Sequence, residues 1–234
     1  MLTGEKTEAD LNVALRYTVH QYLIQQKQIY GDELYIKRLA NKKLGSVYNH
    51  ASLKSFQESI CKCQECPLGK SRTKFVFGVG DPNAKLMLVG EAPGEKEDLE
   101  GEPFIGPAGK LLDKILGAIN RNRNKDVYIA NVIKCRPPNN RDPLLSEVEK
   151  CEPYLMEQIS LINPRLIVAL GRVAGKTLLK IDIPLKGMRK KIHNYGGTPL
   201  IVTFHPAALL RNPDLKKEAW EDFKWVQNFI HIKH

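Results

Sequence analysis

Three polar side chains stand where apolar runs of the sequence end. They are Glu91, Asn131 and His205. Each run is typical of a buried strand, and ligands of open α/β sheets bind at the carboxyl ends of such strands. An amide buried there needs a hydrogen-bond partner. We therefore expect the three to share one site, although a turn-capping asparagine and a structural histidine are the simpler interpretations.

The five cysteines form a second candidate site. They are Cys61, Cys63, Cys66, Cys135 and Cys151. The C-x-x-C pair made by Cys63 and Cys66 can bring two thiolates to one metal ion or cluster. Because we expect an intracellular protein, metal binding is favoured over structural disulfides. The spacing alone does not choose between zinc and an iron–sulfur cluster.

An acidic segment rich in glycine and proline follows the first apolar run. It carries six carboxylates between Glu91 and Glu102 against one lysine, and Phe104 then leads into a helix. Strand, glycine-rich loop and helix form half of a βαβ unit. An acidic loop weakens general affinity for nucleic acid, which indicates that this loop has a specific role at one site. The other interpretation is a solvated surface loop.

These candidate sites need a scaffold of strands and helices. Apolar runs predict four buried strands, at residues 86–89, 127–132, 166–170 and 200–204. Helical periodicity predicts helices at residues 110–120, 146–162 and 216–230. Ser146 is the predicted N-cap of the middle helix, with Glu149 completing a capping box. Gly171–Thr177 imitates a phosphate-binding loop, but three residues instead of four separate its glycines, which argues against nucleotide hydrolysis.

Length, composition and charge indicate the general class of protein. The chain has 234 residues with 42% hydrophobic content, which suits one globular domain with an appendage. It lacks an apolar run of membrane-spanning length and a signal-peptide core, so we expect a cytoplasmic protein. The formal net charge is +10, which favours polyanionic partners and nucleic acid first. Basic residues concentrate in Lys110–Arg141, with a local charge of +6, and in Lys186–Lys191.

Three motifs, in order and interleaved with the cysteines, resemble the iron–sulfur-containing family 4 uracil-DNA glycosylases. They are Gly90-Glu-Ala-Pro-Gly94 with Pro103-Phe-Ile-Gly106, Asn131-Val-Ile-Lys-Cys135-Arg, and His205-Pro-Ala-Ala-Leu-Leu-Arg211. The resemblance implies an α/β fold: a three-layer α/β/α sandwich around a four-stranded parallel sheet. The resemblance runs from about Cys63 to Arg211, and we assign residues 51–234 to the glycosylase domain with its cluster. Residues 1–50 form a helical N-terminal extension that the resemblance does not cover.

By this resemblance, the protein is an enzyme of base excision repair that hydrolyses the N-glycosidic bond of uracil in DNA. The substrate-binding residues that it implies are Glu91, Ala92, Pro93, Phe104, Asn131 and His205. Phe104 would stack on the flipped base, and the amide of Asn131 would read the uracil edge. His205 would stabilise the negative charge on the departing uracil.

The sequence departs from the pattern of the superfamily at two positions. Ala92 stands where other branches have an aspartate that orients the attacking water, so this role falls to Glu91, Glu97 or a backbone carbonyl. Gly94 replaces a bulky aromatic residue that excludes thymine, so Glu97 is expected to cover the 5-methyl position. Together with His205, these two glutamates are the candidate catalytic residues.

The resemblance also implies a cofactor and a DNA surface. Cys63, Cys66, Cys135 and Cys151 would hold a [4Fe-4S] cluster of structural role, and Cys61 has no counterpart in the family pattern. The implied DNA-binding residues are Leu209, as a wedge in the base stack, Arg211, Lys190 and Lys191. The expected partner is uracil-containing DNA and not a membrane. We expect a monomer, with the N-terminal extension as the candidate contact for a protein partner.

Two other functions stay open at this point. A non-catalytic iron–sulfur protein that binds nucleic acid explains the charge and the cysteines. It does not explain polar residues at successive strand ends. The second alternative is a zinc-stabilised hydrolase that acts on another substrate.

Overall fold

A computed structural model of the protein describes residues 50–231. The predicted N-terminal extension, residues 1–50, lies outside the described residues except for His50. Within residues 50–231, no helix is long and apolar enough to cross a lipid bilayer.

One six-stranded sheet forms the centre of the described chain. Its strands are β1 (Val79–Gly80), β2 (Leu86–Gly90), β3 (Val127–Asn131), β4 (Leu166–Leu170), β5 (His193–Tyr195) and β6 (Thr198–Thr203). Their spatial order is β1-β3-β2-β4-β6-β5. The four inner strands are parallel, whereas β1 and β5 pair antiparallel at the two edges. The four predicted parallel strands are therefore confirmed, and the sheet is larger than predicted by two short edge strands.

The inner strands are buried on both faces. Every residue of β2, β3 and β4 is buried. This is expected for parallel strands, because helices cover both faces of the sheet and both sets of side chains must be apolar. It also explains why these strands read in the sequence as continuous apolar runs.

Helices cover both faces of the sheet. The described α-helices are α1 (Leu53–Ile60), α2 (Leu68–Ser71), α3 (Glu95–Glu100), α4 (Pro107–Ala118), α5 (Leu145–Ile162), α6 (Arg172–Leu179), α7 (Leu185–Met188), α8 (Pro206–Arg211) and α9 (Leu215–His231). One core packs α1, α2, α5, α6 and α7 on one face of the sheet. A second core packs α4 and α9 on the other face. The three-layer α/β/α sandwich is confirmed.

The start of α5 differs from the predicted capping box. The helix begins at Leu145, one residue before the predicted cap, Ser146. Glu147 performs the capping, because its carboxylate accepts from the backbone N–H of Leu144 at 2.8 Å. Arg141 holds the same carboxylate through two N–H groups, at 2.9 and 2.6 Å. Glu147 is therefore fixed from both sides.

Candidate active site

The predicted polar residues lie at one edge of the sheet. Strands β2, β3 and β6 are parallel, so their carboxyl ends face the same way. Gly90 at the end of β2 pairs with Asn131 at the end of β3. The rings of Phe104 and His205 have centroids 5.5 Å apart and an interplanar angle of 32°. The structure thus brings together Asn131, Phe104 and His205, which are far apart in the sequence.

Gly90 forms the floor between two of these side chains. A Cβ atom at this position would lie 2.4 Å from Oδ1 of Asn131 and 2.6 Å from Cζ of Phe104. Real Cβ atoms do not approach other atoms so closely, so an alanine would displace both side chains. The glycine of the first motif therefore permits the amide and the aromatic ring to meet over the backbone.

Asn131 offers an unused hydrogen-bond acceptor. The residue is 2% exposed, and its Oδ1 atom has no hydrogen-bond partner within residues 50–231. Buried polar atoms are nearly always paired, and an exception calls for an explanation such as a ligand. The backbone carbonyl of Asn131 is held by Nζ of Lys134 at 2.8 Å. Its backbone is fixed while its side-chain oxygen is available.

His205 is a neutral histidine whose tautomer is set by the backbone. It is the N-cap of α8, and its Nδ1 accepts from the N–H of Ala207 at 3.1 Å. The ring proton must then lie on Nε2. Burial, and secondarily the charge of Arg211, lower the pKa of His205 to about 4, whereas Glu97 opposes this shift. At neutral pH the side chain therefore presents an Nε2–H donor without a formal charge.

The two candidate catalytic glutamates occupy different environments. Burial, and secondarily the nearby Asp142, raise the pKa of Glu91 to about 7, whereas Arg172 opposes this shift. Glu97 lies in α3, where its Oε1 accepts from the backbone N–H groups of Ile105 and Gly106, at 3.0 and 3.1 Å. The carboxylate of Glu97 therefore caps the start of α4.

The remaining residues of the first motif shape the wall of the site. Ala92 packs against the core and Pro93 is buried, and neither has a side-chain group that could orient water. Oε2 of Glu97 lies 2.8 Å from the point where a Cβ of residue 94 would stand, so it occupies the space beside Gly94.

The predicted DNA-binding residues divide into exposed and buried ones. Arg211, Lys190 and Lys191 are exposed. Leu209 is only 1% exposed, whereas its neighbour Leu210 is 45% exposed. A wedge must project from the surface, so this conformation does not present Leu209 to DNA. Leu209 instead packs inside, because the helix α8 turns it away from solvent.

The basic segment Lys186–Lys191 is not a continuous charged surface. Arg189 within it is 5% exposed and forms ion pairs with Asp222 at 2.9 Å and with Glu218 at 2.5 Å. Its guanidinium also lies 4.0 Å from the centroid of the Phe204 ring. Arg189 therefore anchors the segment to α9 and is not available to phosphate.

Four of the five thiols line one cavity. The cavity is lined by Cys63, Cys66, Cys135 and Cys151 together with Arg72 and Tyr154, among others. Cys61 is not among the lining residues. Within the part of the chain that the structure describes, no three histidine, cysteine, aspartate or glutamate side chains are arranged to hold a metal ion. The four sulfurs therefore share the lining of one cavity.

Hydrogen-bond donors point at these sulfurs. The hydroxyl of Tyr154 donates to Sγ of Cys63 at 3.2 Å, and Nη1 of Arg72 donates to Sγ of Cys135 at 3.3 Å. The backbone N–H of Lys134 donates to Sγ of Cys151 at 3.3 Å. Sulfur accepts best as a thiolate, so this donor set suits thiolate ligands. Burial raises the pKa of Cys151 to about 12, so a metal-free Cys151 is a neutral thiol.

Several residues that support the site were not identified from the sequence. Asp98 is buried, and both of its carboxylate oxygens accept from the N–H of Thr73 at 3.0 Å. Lys134 is 0% exposed and bonds Gln158 at 2.6 Å as well as Asn131. Lys134 lies between Asn131 and Cys135 in the sequence, but only the structure shows that a lysine there points inward.

Comparison with known proteins identifies the family. Residues 77–224 match the family described as the uracil DNA glycosylase superfamily. Over 183 residues, the chain is 46% identical to the type-4 uracil-DNA glycosylase of Archaeoglobus fulgidus, and the aligned region covers 75% of this chain and 92% of that protein. The corresponding protein of Sulfurisphaera tokodaii is 45% identical over 184 residues, covering 75% and 84%. That of Thermotoga maritima is 44% identical over 178 residues, covering 74% and 92%. The chain therefore belongs to the uracil-DNA glycosylase superfamily and, within it, to the type-4 uracil-DNA glycosylases.

Proposed function

We propose that this protein excises uracil from DNA, hydrolysing the N-glycosidic bond to release free uracil and leave an abasic site. One observation carries the proposal. The buried, unpaired Oδ1 of Asn131 lies beside the Phe104 ring, and that ring lies beside the neutral His205. An acceptor, an apolar face and a donor at one sheet edge are the groups that a flipped uracil requires.

The amide of Asn131 reads the base. Its Oδ1 accepts from N3–H of uracil, and its Nδ2 donates to O4. Cytosine presents the reverse pattern at these two positions, so a fixed amide would face like groups and leave buried polar atoms unpaired. The backbone contact from Lys134 supports this reading, because it restrains the residue that carries the amide.

His205 stabilises the leaving group. As the bond to the sugar breaks, negative charge develops on uracil, largely on O2. The Nε2–H of His205 donates to that oxygen, as a preorganised donor in an oxyanion hole does. The low pKa of His205 supports a role as a neutral donor that keeps its proton, since protonated histidine is scarce at neutral pH.

Glu91 is the better candidate for orienting the attacking water. Oε1 of Glu97 already accepts two backbone N–H groups, so its capping role competes with binding a water. Glu91 follows the floor residue Gly90, and a pKa of about 7 leaves a substantial ionised fraction at neutral pH. We assign the exclusion of thymine to Glu97, because its Oε2 occupies the space beside Gly94.

Exposed cations hold the DNA backbone around the site. Arg211, Lys190 and Lys191 are exposed, and each can neutralise a phosphate. The wedge is assigned to α8, where Leu210 is exposed and Leu209 would have to leave the core. Uracil-containing DNA is the partner. A monomeric state, a cytoplasmic location and a protein partner for the N-terminal extension stay predictions from the sequence.

The four lining cysteines fit a [4Fe-4S] cluster. In such a cluster each thiolate binds a different iron. Four cysteines could also bind zinc, and the resemblance to the iron–sulfur-containing family favours the cluster. Donors to three of the four sulfurs support the same proposal. When bound, the cluster would tie the C-x-x-C turn to the loop after β3 and to α5, as a structural group that takes no part in the hydrolysis.

A uracil-containing oligonucleotide tests the function directly. The purified protein is incubated with matched strands that carry uracil, thymine or cytosine at one position, and abasic sites are revealed by alkaline cleavage. We expect cleavage of the uracil strand only, with one free uracil released per abasic site. Binding of all three strands without release of uracil would refute the proposal in favour of a non-catalytic nucleic-acid-binding protein.

A further inference from the structure

Phe104 has a backbone conformation that an aromatic residue adopts at a cost. Its φ is +55°, in the left-handed region, and the residue is 6% exposed. Bulky residues are rare there, and such strain persists only where the surroundings enforce it. The strain aims the ring at Gly90 and His205. The groups that enforce it are therefore part of the active-site architecture.

Arg123 is the side chain that holds this backbone. Its Nη2 donates to the carbonyl of Phe104 at 2.8 Å and to the carbonyl of Pro103 at 3.2 Å. Its Nε lies 3.1 Å from Oδ1 of Asp113, an ion pair whose geometry is not that of a hydrogen bond. One guanidinium thus connects the strained peptide to α4, which carries Asp113.

Gly109 lets α4 approach the same carbonyl group. A Cβ atom at this position would lie 1.7 Å from the carbonyl oxygen of Phe104. The first turns of α4 therefore press directly against the same peptide group that Arg123 binds. The carbonyl is located by a steric wall and by a charged donor, which together leave the ring little freedom.

We propose that Arg123 is a positioning residue for uracil excision, which acts by fixing the Phe104 ring as the stacking face for the flipped base. The inference rests on the proposed function, and it concerns a residue outside the three sequence motifs. Arg123 itself does not contact the base. Lysine at this position would be a poor substitute, because a single ammonium group lacks the planar fork that reaches two carbonyls and a carboxylate together.

A double-mutant cycle tests the proposal. The rate of uracil release is measured under single-turnover conditions for the parent, Arg123→Ala, Phe104→Ala and the double variant. We expect Arg123→Ala to slow the parent by about 10- to 100-fold, since small displacements of a positioning group have effects of this size. In the Phe104→Ala background, the same change should slow the reaction by less than about twofold, because the ring to be positioned is absent.

Two further variants separate positioning from folding. Arg121→Ala removes a nearby arginine whose ion pair, with Asp126 at 3.9 Å, does not involve Phe104, and it should keep the parent rate. If Arg123→Ala does not fold, Arg123→Lys takes its place in the cycle with the same expected non-additivity.

The outcomes distinguish this inference from the proposed function. Equal slowing by the Arg123 change with and without the Phe104 ring would overturn the positioning role, as would an unchanged rate in the single variant. A parent protein that releases no uracil would instead refute the proposed function.

Discussion

Replacing Asn131 with leucine should raise the stability of the protein while it abolishes most of its activity. The residue is 2% exposed, and Oδ1 has no hydrogen-bond partner among residues 50–231. An unpaired buried polar group costs about 1–3 kcal/mol. Leucine has the same number of side-chain heavy atoms and no polar atoms, and its bulkier methyl groups or a water near Oδ1 would reduce the gain. We therefore expect a gain of about 1 kcal/mol in the free energy of unfolding, or a Tm higher by about 2–4 °C.

The same substitution removes both hydrogen bonds to the uracil edge. Loss of partners for two buried polar atoms of the base costs about 3 kcal/mol or more at the transition state, which lowers the rate by about 10²-fold or more. The assay pairs thermal unfolding of each variant with single-turnover release of uracil from a defined oligonucleotide. We expect the Tm of Asn131→Leu to rise and its rate of uracil release to fall.

Asn131→Asp serves as the matched control. An aspartate has the same shape, but an ionised carboxylate at a buried position is destabilising. It also lacks the donor for O4 of uracil, so we expect lower stability together with at least about 10²-fold slower excision. It gains a partner for the N4 amino group of cytosine, so trace excision of cytosine is expected. If Asn131→Leu is less stable than the parent, or releases uracil at the parent rate, Asn131 is a structural residue and the pocket is misplaced.

Three further predictions address the carboxylate, the thiols and the basic surface. The excision rate should rise as pH increases through about 7, where Glu91 ionises, and Glu91→Gln should flatten that profile. Because the pKa of Glu91 is raised in the folded protein, its contribution to stability is fully present below the unfolded pKa of 4.5 and is lost as pH rises through about 7. The Tm of Glu91→Gln should therefore equal that of the parent at low pH and be higher than that of the parent at high pH. Cys151→Ala should remove the brown colour of the protein and lower its Tm, whereas Cys61→Ala should keep both the colour and the Tm. Loss of visible absorbance in Cys61→Ala but not in Cys151→Ala would contradict the ligand set. Lys190→Ala should reduce the salt dependence of DNA binding by roughly one unit of slope, and an unchanged slope would move the DNA track to Lys110–Arg141.

The inner sheet could be predicted because its strands obey one strong rule. A parallel strand that is covered on both faces must be apolar throughout, so each appears as an uninterrupted run. The edge strands β1 and β5 have only two and three residues, and neither is fully buried, so neither forms an apolar run that the sequence could reveal. The N-cap of α5 was misplaced by two residues, from Leu144 to Ser146, because Ser146 satisfies the sequence rule for a cap. Arg141 instead positions Glu147 to cap the helix.

Site residues could be predicted where a polar residue type stands at the end of a predicted strand. Asn131 and His205 were found because each is a polar residue that closes an apolar run, at the carboxyl end of a predicted strand. Arg123 carries no such signal, because its role comes from a contact between segments that only the fold brings together. The resemblance implied Leu209 as the wedge, but the direction in which α8 faces buries Leu209 and exposes Leu210. The burial of Arg189 likewise depends on α9, which lies far along the chain.

Three unfavourable features of the described chain belong to the candidate site, and they fall into two kinds. The unpaired oxygen of Asn131 and the raised pKa of Glu91 are costs of groups that wait for substrate or water, and removing such a group should stabilise the free protein. The strained φ of Phe104 is a cost that the surroundings must offset continuously, through Arg123 and through Glu97 at the start of α4. Removing one of these supports should lower stability and activity together. The sign of the stability change therefore separates groups that are unpaired or desolvated in the free protein, such as Asn131 and Glu91, from groups that hold the strained backbone, such as Arg123.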